Sequence, residues 1–308
     1  MIDWARFPVP KICGDYINIY QPASDIYEGE DTKCYKSGQR YDCWLTNDFD
    51  VVKTADGYWH IIGITHPWPP GFINHFQFDE TNVHEAESQL FHAVSVRKEL
   101  KDCLCPNSFR DEKKLLYPAE RPGERPECWA PDITRVGDTY HMIYSPQTMY
   151  HKISTDLYHW SDAPALFTSD FFMMRDPFVF FEDGTYTLIY IEEDMLYRTS
   201  RDFVSWSEPE LFQPNVFGKE ASQESPCIYK RGDLYYLLWC MYDGQNGCYD
   251  NRTFVYAAPS LAGLKTASPL TMLNGHATLM FDGEDGQTYV ASAHYPSNGV
   301  NIAPIAWI

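Results

Sequence analysis

Five ionisable residues, four acidic residues and one histidine, each precede one of five turn sequences that are spread along the 308-residue chain. They are Asp48, Asp132, Asp176, Glu224 and His276, and each lies five to ten residues ahead of a turn glycine. A strand that is buried on both faces is mostly apolar, because an unpaired carboxylate costs several kcal/mol there. Ionisable groups that five separate segments bring to one place therefore predict a catalytic or ligand-binding site.

The five turn sequences share an Asp-Gly or Gly-Asp pair that runs into alternating aromatic and β-branched residues, which is the chemistry of a β-hairpin. Their glycines are Gly57, Gly137, Gly184, Gly232 and Gly286, at spacings of 80, 47, 48 and 54 residues. A period of about 50 residues is typical of a β-propeller, whose four-stranded blades bury their faces against their neighbours. The sequence predicts an all-β fold, a five-bladed β-propeller forming one domain over residues 1–308. The strand before each turn would line the central channel and bring the ionisable residues together.

Three segments fall outside the repeat pattern. Residues 1–44 contain no copy of it, and we expect them to supply an outer strand or a wrap across the edge of blade five, with the repeats starting at about residue 45. The long first spacing comes from residues 67–89 and 97–127, which are rich in proline, charge and turn formers. Both predict loop insertions of blade one, and long loops on a rigid scaffold usually shape a binding mouth.

Charge and composition limit the partners. The chain carries 24 Lys and Arg against 43 Asp and Glu, a formal net charge of −19. Such a charge repels phosphate backbones and anionic lipid, so neither nucleic acid nor a membrane is an expected partner. Aromatic residues make up 16% of the chain, which favours a β scaffold with surfaces on which sugar rings can stack.

The chain start and the cysteines give two further expectations. Residues 1–8 have neither a basic segment nor a long apolar one, so no secretory signal is predicted and a cytoplasmic location is expected. The nine cysteines are odd in number and lack paired CxxC spacing, which predicts free thiols. The histidines show no ligand spacing either, so no metal site is predicted from them. The oligomeric state is left open.

Short motifs around the ionisable residues carry a family resemblance. They are NDF at 47–49, WAPD at 129–132, RDPFVF at 175–180, ESP at 224–226 and GH at 275–276. In this order and at blade spacing they resemble the five-bladed propeller glycosidases of family 43, and their relatives in family 32. The resemblance covers about residues 45–308 and implies the same propeller fold with glycoside hydrolase activity.

The resemblance implies an active site of three carboxyl groups. Carried over residue by residue, Asp48 is the general base or nucleophile, Asp176 the second aspartate and Glu224 the general acid. Glycoside hydrolysis needs one acid to protonate the leaving oxygen and one carboxylate to activate water or attack the anomeric carbon. Asp176, close to the acid, would keep the pKa of Glu224 high by like-charge repulsion.

The blade-one motif departs from both families. Family 43 usually has Asp-Pro there and family 32 has Asn-Asp-Pro, whereas this chain has Asn47-Asp48-Phe49. Asp50, two residues on and on the same strand face, is the alternative to Asp48, which we favour. Asn47 favours the family-32 side, while WAPD, the blade-five GH and the absence of a second sandwich domain favour family 43. We therefore expect an inverting mechanism.

Four other residues are assigned to substrate binding by the same resemblance. Trp129 is the best stacking platform, Asp132 has a supporting role, and Arg175 accompanies Asp176. His276 resembles a blade-five histidine that, in some relatives, lies under the catalytic centre and helps to hold an ion or water in the channel. No cofactor is required by the implied chemistry.

The predicted substrate is an oligosaccharide or glycoside. The expected reaction is removal of a terminal pentose or furanose, as by an α-L-arabinofuranosidase or a β-xylosidase. One alternative is a retaining β-fructofuranosidase-like enzyme. Another is a non-catalytic carbohydrate-binding propeller, although a lectin would more often repeat one equivalent site in each blade, and the five channel residues differ here.

Overall fold

The chain folds into five antiparallel β-sheets arranged in a ring. The computed structural model describes residues 7–68, 86–218, 221–243, 248–294 and 299–308. The five sheets confirm the predicted all-β class and the five-bladed β-propeller. No helix within these ranges has the length and apolar character needed to span a membrane.

Four short strands precede the blades, and four strands form each of the first four blades in chain order. The first four strands are β1 (Pro10–Ile12), β2 (Ile17–Tyr20), β3 (Asp25–Ile26) and β4 (Arg40–Tyr41). Blade one has β5 (Trp44–Lys53), β6 (Trp59–Pro67), β7 (Gln89–Ser95) and β8 (Phe109–Asp111). Blade two has β9 (Trp129–Val136), β10 (Thr139–Ser145), β11 (Thr148–Ser154) and β12 (Ser161–Thr168).

The remaining blades repeat this plan. Blade three has β13 (Arg175–Glu182), β14 (Thr185–Ile191), β15 (Met195–Ser200) and β16 (Glu210–Gln213). Blade four has β17 (Ala221–Arg231), β18 (Leu234–Asp243), β19 (Cys248–Ala258) and β20 (Pro269–Asn274), with a short helix, α1 (Leu261–Leu264), between its last two strands. Blade five has β21 (His276–Asp282), β22 (Thr288–Ala293) and β23 (Val300–Trp307).

The five turn glycines join the first and second strands of their blades. All have a positive φ, from 58° at Gly232 to 95° at Gly57. Residues with a Cβ rarely adopt this conformation, so the glycines make the hairpin turns accessible. Each turn sends the chain outward from the first strand, and the first strands β5, β9, β13, β17 and β21 contact one another around the channel.

Every first strand contains a β-bulge. In blades two to five the bulged residue has a positive φ of 46–56°, and these residues are Ala130, Asp176, Ser225 and Ala277. In blade one the bulge falls at Asp48, between Asn47 and Phe49. A bulge bends its strand and re-aims side chains. Neighbouring residues such as Arg175 and Asp176 can therefore both face one cavity.

The N-terminal segment closes the ring and then covers blade one. β1 pairs antiparallel with β23, Pro10 opposite Trp307, and thus forms the outer strand of blade five. Residues 21–43 follow as a wrap, which includes the β3–β4 hairpin and shares a buried cluster of Tyr27, Tyr35, Trp44 and Ala86.

The two predicted insertions of blade one have different outcomes. Residues 97–127 contain β8 and two 3-10 turns, Leu100–Cys103 and Pro118–Glu120, so this segment also completes the blade. Residues 69–85 of the other insertion lie outside the described part of the chain. The eight cysteines whose side chains are described are all free, in agreement with the sequence.

Candidate active site

Strand pairing sorts the predicted site residues into levels along the channel. Trp129, Arg175, Glu224 and His276 are equivalent, since each is the last paired residue before its bulge. Asp176 and Asp48 are bulge residues, one step further along their strands. Asp132 lies deeper, opposite Ile143, just as Asp50 lies opposite Ile62. The site therefore consists of an upper group and a deeper aspartate pair.

The upper group, apart from His276, lines a cavity of about 530 Å³ at one end of the channel. Asp48, Asp176 and Glu224 are all on its walls, as are Trp129 and Arg175. Asp176 and Glu224 are only 4% and 7% exposed. The volume falls in the range of small-molecule sites. Five of the seven predicted site residues thus meet in one cavity, and Asp132 and His276 are not among its walls.

Ser225 connects two of the carboxyl groups. Its hydroxyl donates a hydrogen bond to Asp48 Oδ1, and its backbone N–H donates to Asp176 Oδ2 at 3.0 Å. Asn47 Nδ2 donates to the other oxygen of Asp48 at 2.9 Å. Since Ser225 directly follows Glu224, one strand segment orients all three acids. Sequence reasoning missed this residue, although it is the middle residue of the ESP motif.

Arg175 connects Glu224 with Asp176. Its Nη2 donates to Glu224 Oε1 at 3.0 Å and to Ser222 Oγ at 2.6 Å, and its Nε lies 3.6 Å from Asp176 Oδ2. The guanidinium is itself buried. Because the guanidinium group is planar, always charged and able to form two hydrogen bonds side by side, it can hold two carboxyl groups in a defined relative position.

Two of the three acids have raised pKa values. Burial raises the pKa of Asp176 to about 7, with Arg175 opposing this shift and the charge of Asp48 adding to it. The pKa of Glu224 is raised well above its ordinary value, chiefly by burial and then by the charges of Asp176 and Asp48, against the opposing effect of Arg175. A carboxyl group that keeps its proton near neutral pH can act as a general acid.

His276 lies beneath the cavity. It is fully buried, with Nε2 3.9 Å from Glu224 Oε2 and 4.0 Å from Cys240 Sγ. One ligand atom from each of Glu224, Cys240 and His276 lies within 4.8 Å of the others. A thiolate, an imidazole and a carboxylate are the donors of zinc sites, whereas calcium takes oxygen ligands. If this cluster holds an ion, its chemistry favours zinc.

The deeper aspartate pair bonds to the backbone of neighbouring blades. Asp50 Oδ2 accepts the N–H of Ile133 at 2.8 Å, and Asp132 Oδ1 accepts that of Val179 at 3.2 Å. Burial raises the pKa of Asp50 to about 6. Burial, followed by the charge of Asp50, raises that of Asp132 well above its ordinary value. These two groups hold adjacent inner strands together, and Asp48 is the blade-one carboxyl group that lines the upper cavity.

Other residues of the cavity wall were not predicted. Glu87 is buried to 2% exposure and comes from the segment that leads into β7. Glu192, Glu193 and Asp194 lie between β14 and β15, on the blade-three side of the cavity. Arg175 is the sole cationic side chain among the described wall residues. The cavity is therefore strongly acidic.

Solved structures with the same fold include several glycosidases. An exo-1,5-α-L-arabinanase from a bovine ruminal metagenomic library is 15% identical, with a TM-score of 0.59 over 85% of this chain and 93% of its own. An endo-arabinase from Bacteroides thetaiotaomicron is 14% identical, with a TM-score of 0.60 over 85% and 94%. A xylan β-1,4-xylosidase from Bacillus halodurans is 15% identical, with a TM-score of 0.57 over 85% and 52%.

At these identities the likeness establishes the fold. No protein-family model matches the sequence, and no curated protein is similar to it. Another of the similar structures is a thermostable family-43 glycoside hydrolase, with 14% identity and a TM-score of 0.60 over 87% of this chain and 90% of its own. The fold implied by the motif resemblance is thus confirmed.

Proposed function

We propose that the protein is a glycoside hydrolase that removes a terminal pentose or furanose with inversion, as an α-L-arabinofuranosidase or a β-xylosidase does. The observation that carries the proposal is the cluster of Asp48, Asp176 and Glu224 on the walls of one cavity. Comparison with solved structures also supports the proposal, because two arabinanases and a xylosidase have the same fold.

In this mechanism Glu224 protonates the glycosidic oxygen as the leaving group departs. Its raised pKa supports this role, because the group must carry a proton before the reaction. Asp48 accepts a proton from the attacking water, and its hydrogen bonds from Ser225 and Asn47 keep its oxygens oriented. Asp176 takes part in neither proton transfer. It acts through its charge and through the hydrogen bond that it accepts from the backbone N–H of Ser225.

The acidic wall favours a neutral glycosyl unit. Seven carboxyl-bearing residues line the described part of the cavity against one arginine, so a uronate or sulfated sugar would enter against electrostatic repulsion. The partly apolar wall of Trp129, Phe171 and Met173 is suited to stacking against the less polar face of a sugar ring.

The direct test is a substrate screen followed by stereochemistry. Nitrophenyl pentosides and furanosides are assayed alongside sucrose and inulin, and hydrolysis of a pentoside or furanoside is expected. Proton NMR of the first-formed sugar should then give the inverted anomer. Inversion also requires the Asp48 and Glu224 carboxyl groups to be separated by roughly 6.5–9.5 Å, against about 5–5.5 Å for retention. A protein that binds sugars but cleaves none of them would be a carbohydrate-binding propeller instead.

A retaining β-fructofuranosidase-like activity is the second candidate. The Asn47-Asp48 pair favours it, since the Asn47 amide is hydrogen-bonded to the carboxyl group that would act as nucleophile. Cleavage of sucrose or inulin with retained configuration, or transfer of the sugar to methanol, would establish this alternative.

A further inference from the structure

The cavity contains a fourth buried carboxyl group that the mechanism does not use. Glu87 lines the cavity on the same side as Asn47 and Asp48, and all three belong to blade one. It is neither a bulge residue nor part of a first strand, since it comes from the segment that leads into β7. A carboxyl group on the wall of a cavity can accept hydrogen bonds from a polyhydroxylated ligand.

The segment that carries Glu87 is held from two sides. On the blade-two side, the backbone carbonyl of Glu87 accepts a hydrogen bond from the N–H of Cys128 at 2.7 Å, directly beside Trp129. On the other side lies the N-terminal wrap, where a Cβ at Gly29 would come within 2.3 Å of Ser88 Oγ. Gln89 Oε1 also accepts the N–H of Glu28 at 3.3 Å. The N-terminal wrap therefore packs directly against the segment that carries Glu87.

His66 packs behind the carboxyl group. Its Nδ1 lies 2.8 Å from the carbonyl oxygen of Pro67, an acceptor, so Nδ1 carries the hydrogen. Its Nε2 lies 3.9 Å from Glu87 Oε1, beyond hydrogen-bond distance. Both side chains are almost completely buried. A rigid carboxylate in a cavity wall is pre-organised to accept hydrogen bonds from a ligand.

We propose that Glu87 is a substrate-binding residue that accepts hydrogen bonds from free hydroxyl groups of the sugar held at Asp48. A carboxylate offers two oxygens and forms stronger hydrogen bonds than a neutral acceptor does. It would select glycosyl units whose hydroxyls at that position are unsubstituted, and reject acetylated or methylated ones, because they lack the donor. This inference rests on the proposed glycosidase function.

The test compares Glu87→Gln with a matched control, Glu127→Gln. Glu127 is also buried, and it belongs to the adjoining segment, but it pairs with Arg125 and is not a described wall residue. With the aryl glycoside that the wild type cleaves best, Glu87→Gln should lose about 10- to 100-fold in kcat/KM, the value of hydrogen bonds to a charged group. Glu127→Gln should stay within about 3-fold.

Monodeoxy analogues of the same glycoside identify the hydroxyl. One analogue should lower kcat/KM strongly for the wild type and hardly at all for Glu87→Gln, because both changes remove one interaction. Equal kinetics for the two glutamine variants, or additive losses for every analogue, would overturn the proposal while leaving the hydrolase function intact. No activity of the wild type on any glycoside would instead refute the proposed function.

A structural measurement does not depend on the folding of a Glu87 variant. In crystals of Glu224→Gln soaked with the released monosaccharide, a Glu87 oxygen should lie about 2.5–3.0 Å from a sugar hydroxyl. A sugar bound in the cavity without that contact would rule out the assignment.

Discussion

Replacing Ser225 by alanine isolates one contact between the catalytic groups. The change removes the hydroxyl that donates to Asp48 and leaves the backbone N–H that donates to Asp176. The backbone tolerates the change, since Ala130 and Ala277 occupy the equivalent bulge positions with φ of 46° and 49°, close to the 50° of Ser225. The hydroxyl also accepts a weak hydrogen bond from Cys240 Sγ at 3.5 Å, but only the bond to Asp48 acts directly on the ionisation of the base.

The size of the effect follows from the strength of that bond. A hydrogen bond to a charged group contributes about 1.5–3 kcal/mol, and about 1.4 kcal/mol corresponds to one pH unit in a protonation equilibrium. The bond favours the ionised form of Asp48, so its loss makes protonation easier. The acidic limb of the kcat/KM profile should then move to higher pH by about 1–2 units. Asp48 still accepts the proton once it is ionised, so the plateau should fall by less than about 10-fold.

The assay is kcat/KM against pH for the wild type, Ser225→Ala and a control, Ser222→Ala. Ser222 lies on the same strand and also faces the cavity, but its hydroxyl accepts from Arg175. The control should therefore leave the acidic limb in place. An unmoved limb in Ser225→Ala, or an equal shift in both variants, would refute the role given to this contact.

Three further expectations concern the acid, the channel and metals. Glu224→Gln should lose at least ~10²-fold in kcat on poor leaving groups and much less on nitrophenyl glycosides, which need no proton; equal losses would argue against the acid role. Asp132→Asn should stabilise the protein more at pH 7 than at pH 4 in urea unfolding. The raised pKa of Asp132 means that the folded state binds its proton more tightly, so wild-type stability falls as pH rises from about 4. A pH-independent difference would contradict this. EDTA should leave kcat unchanged, because two carboxyl groups suffice for the chemistry. Added Zn²⁺ should inhibit the enzyme by binding Glu224, Cys240 and His276. Activation by a metal would contradict both statements.

The blades could be predicted because their signal is local. An Asp-Gly turn and the strand after it depend on neighbouring residues only, and the five glycines lie in five equivalent turns. Counting back from them found Asp48, Asp176 and Glu224, which share a cavity. It also grouped Asp132 with them, although Asp132 is equivalent to Asp50. Blades two and three have connections of equal length, at 137–138 and 183–184, but Asp132 is five residues before its glycine and Asp176 is eight before its own, so Asp132 lies deeper along its strand.

The missed residues depend on contacts that are distant in sequence. Ser225 matters because a bulge turns its hydroxyl towards Asp48, 177 positions earlier in the chain. Glu87 enters the cavity because the N-terminal wrap and Cys128 direct its segment there. The ESP motif includes Ser225 but does not show which group its hydroxyl contacts, and Glu87 lies in none of the motifs, so only the assembled ring reveals both roles.

The pairing of β1 with β23 determines the order in which the ring can form. Blade five obtains its outer strand only after Trp307 has been synthesised, almost 300 residues after Pro10. Until then Phe91 of blade one cannot complete the cluster that it shares with Tyr289 and Ile302 of blade five in the finished protein. Contacts between such distant segments form slowly, because the loop between them must first be closed. Until β23 has formed, the nascent chain is therefore an open arc of blades, and β1 lacks its partner strand in blade five and offers an unprotected edge to other chains.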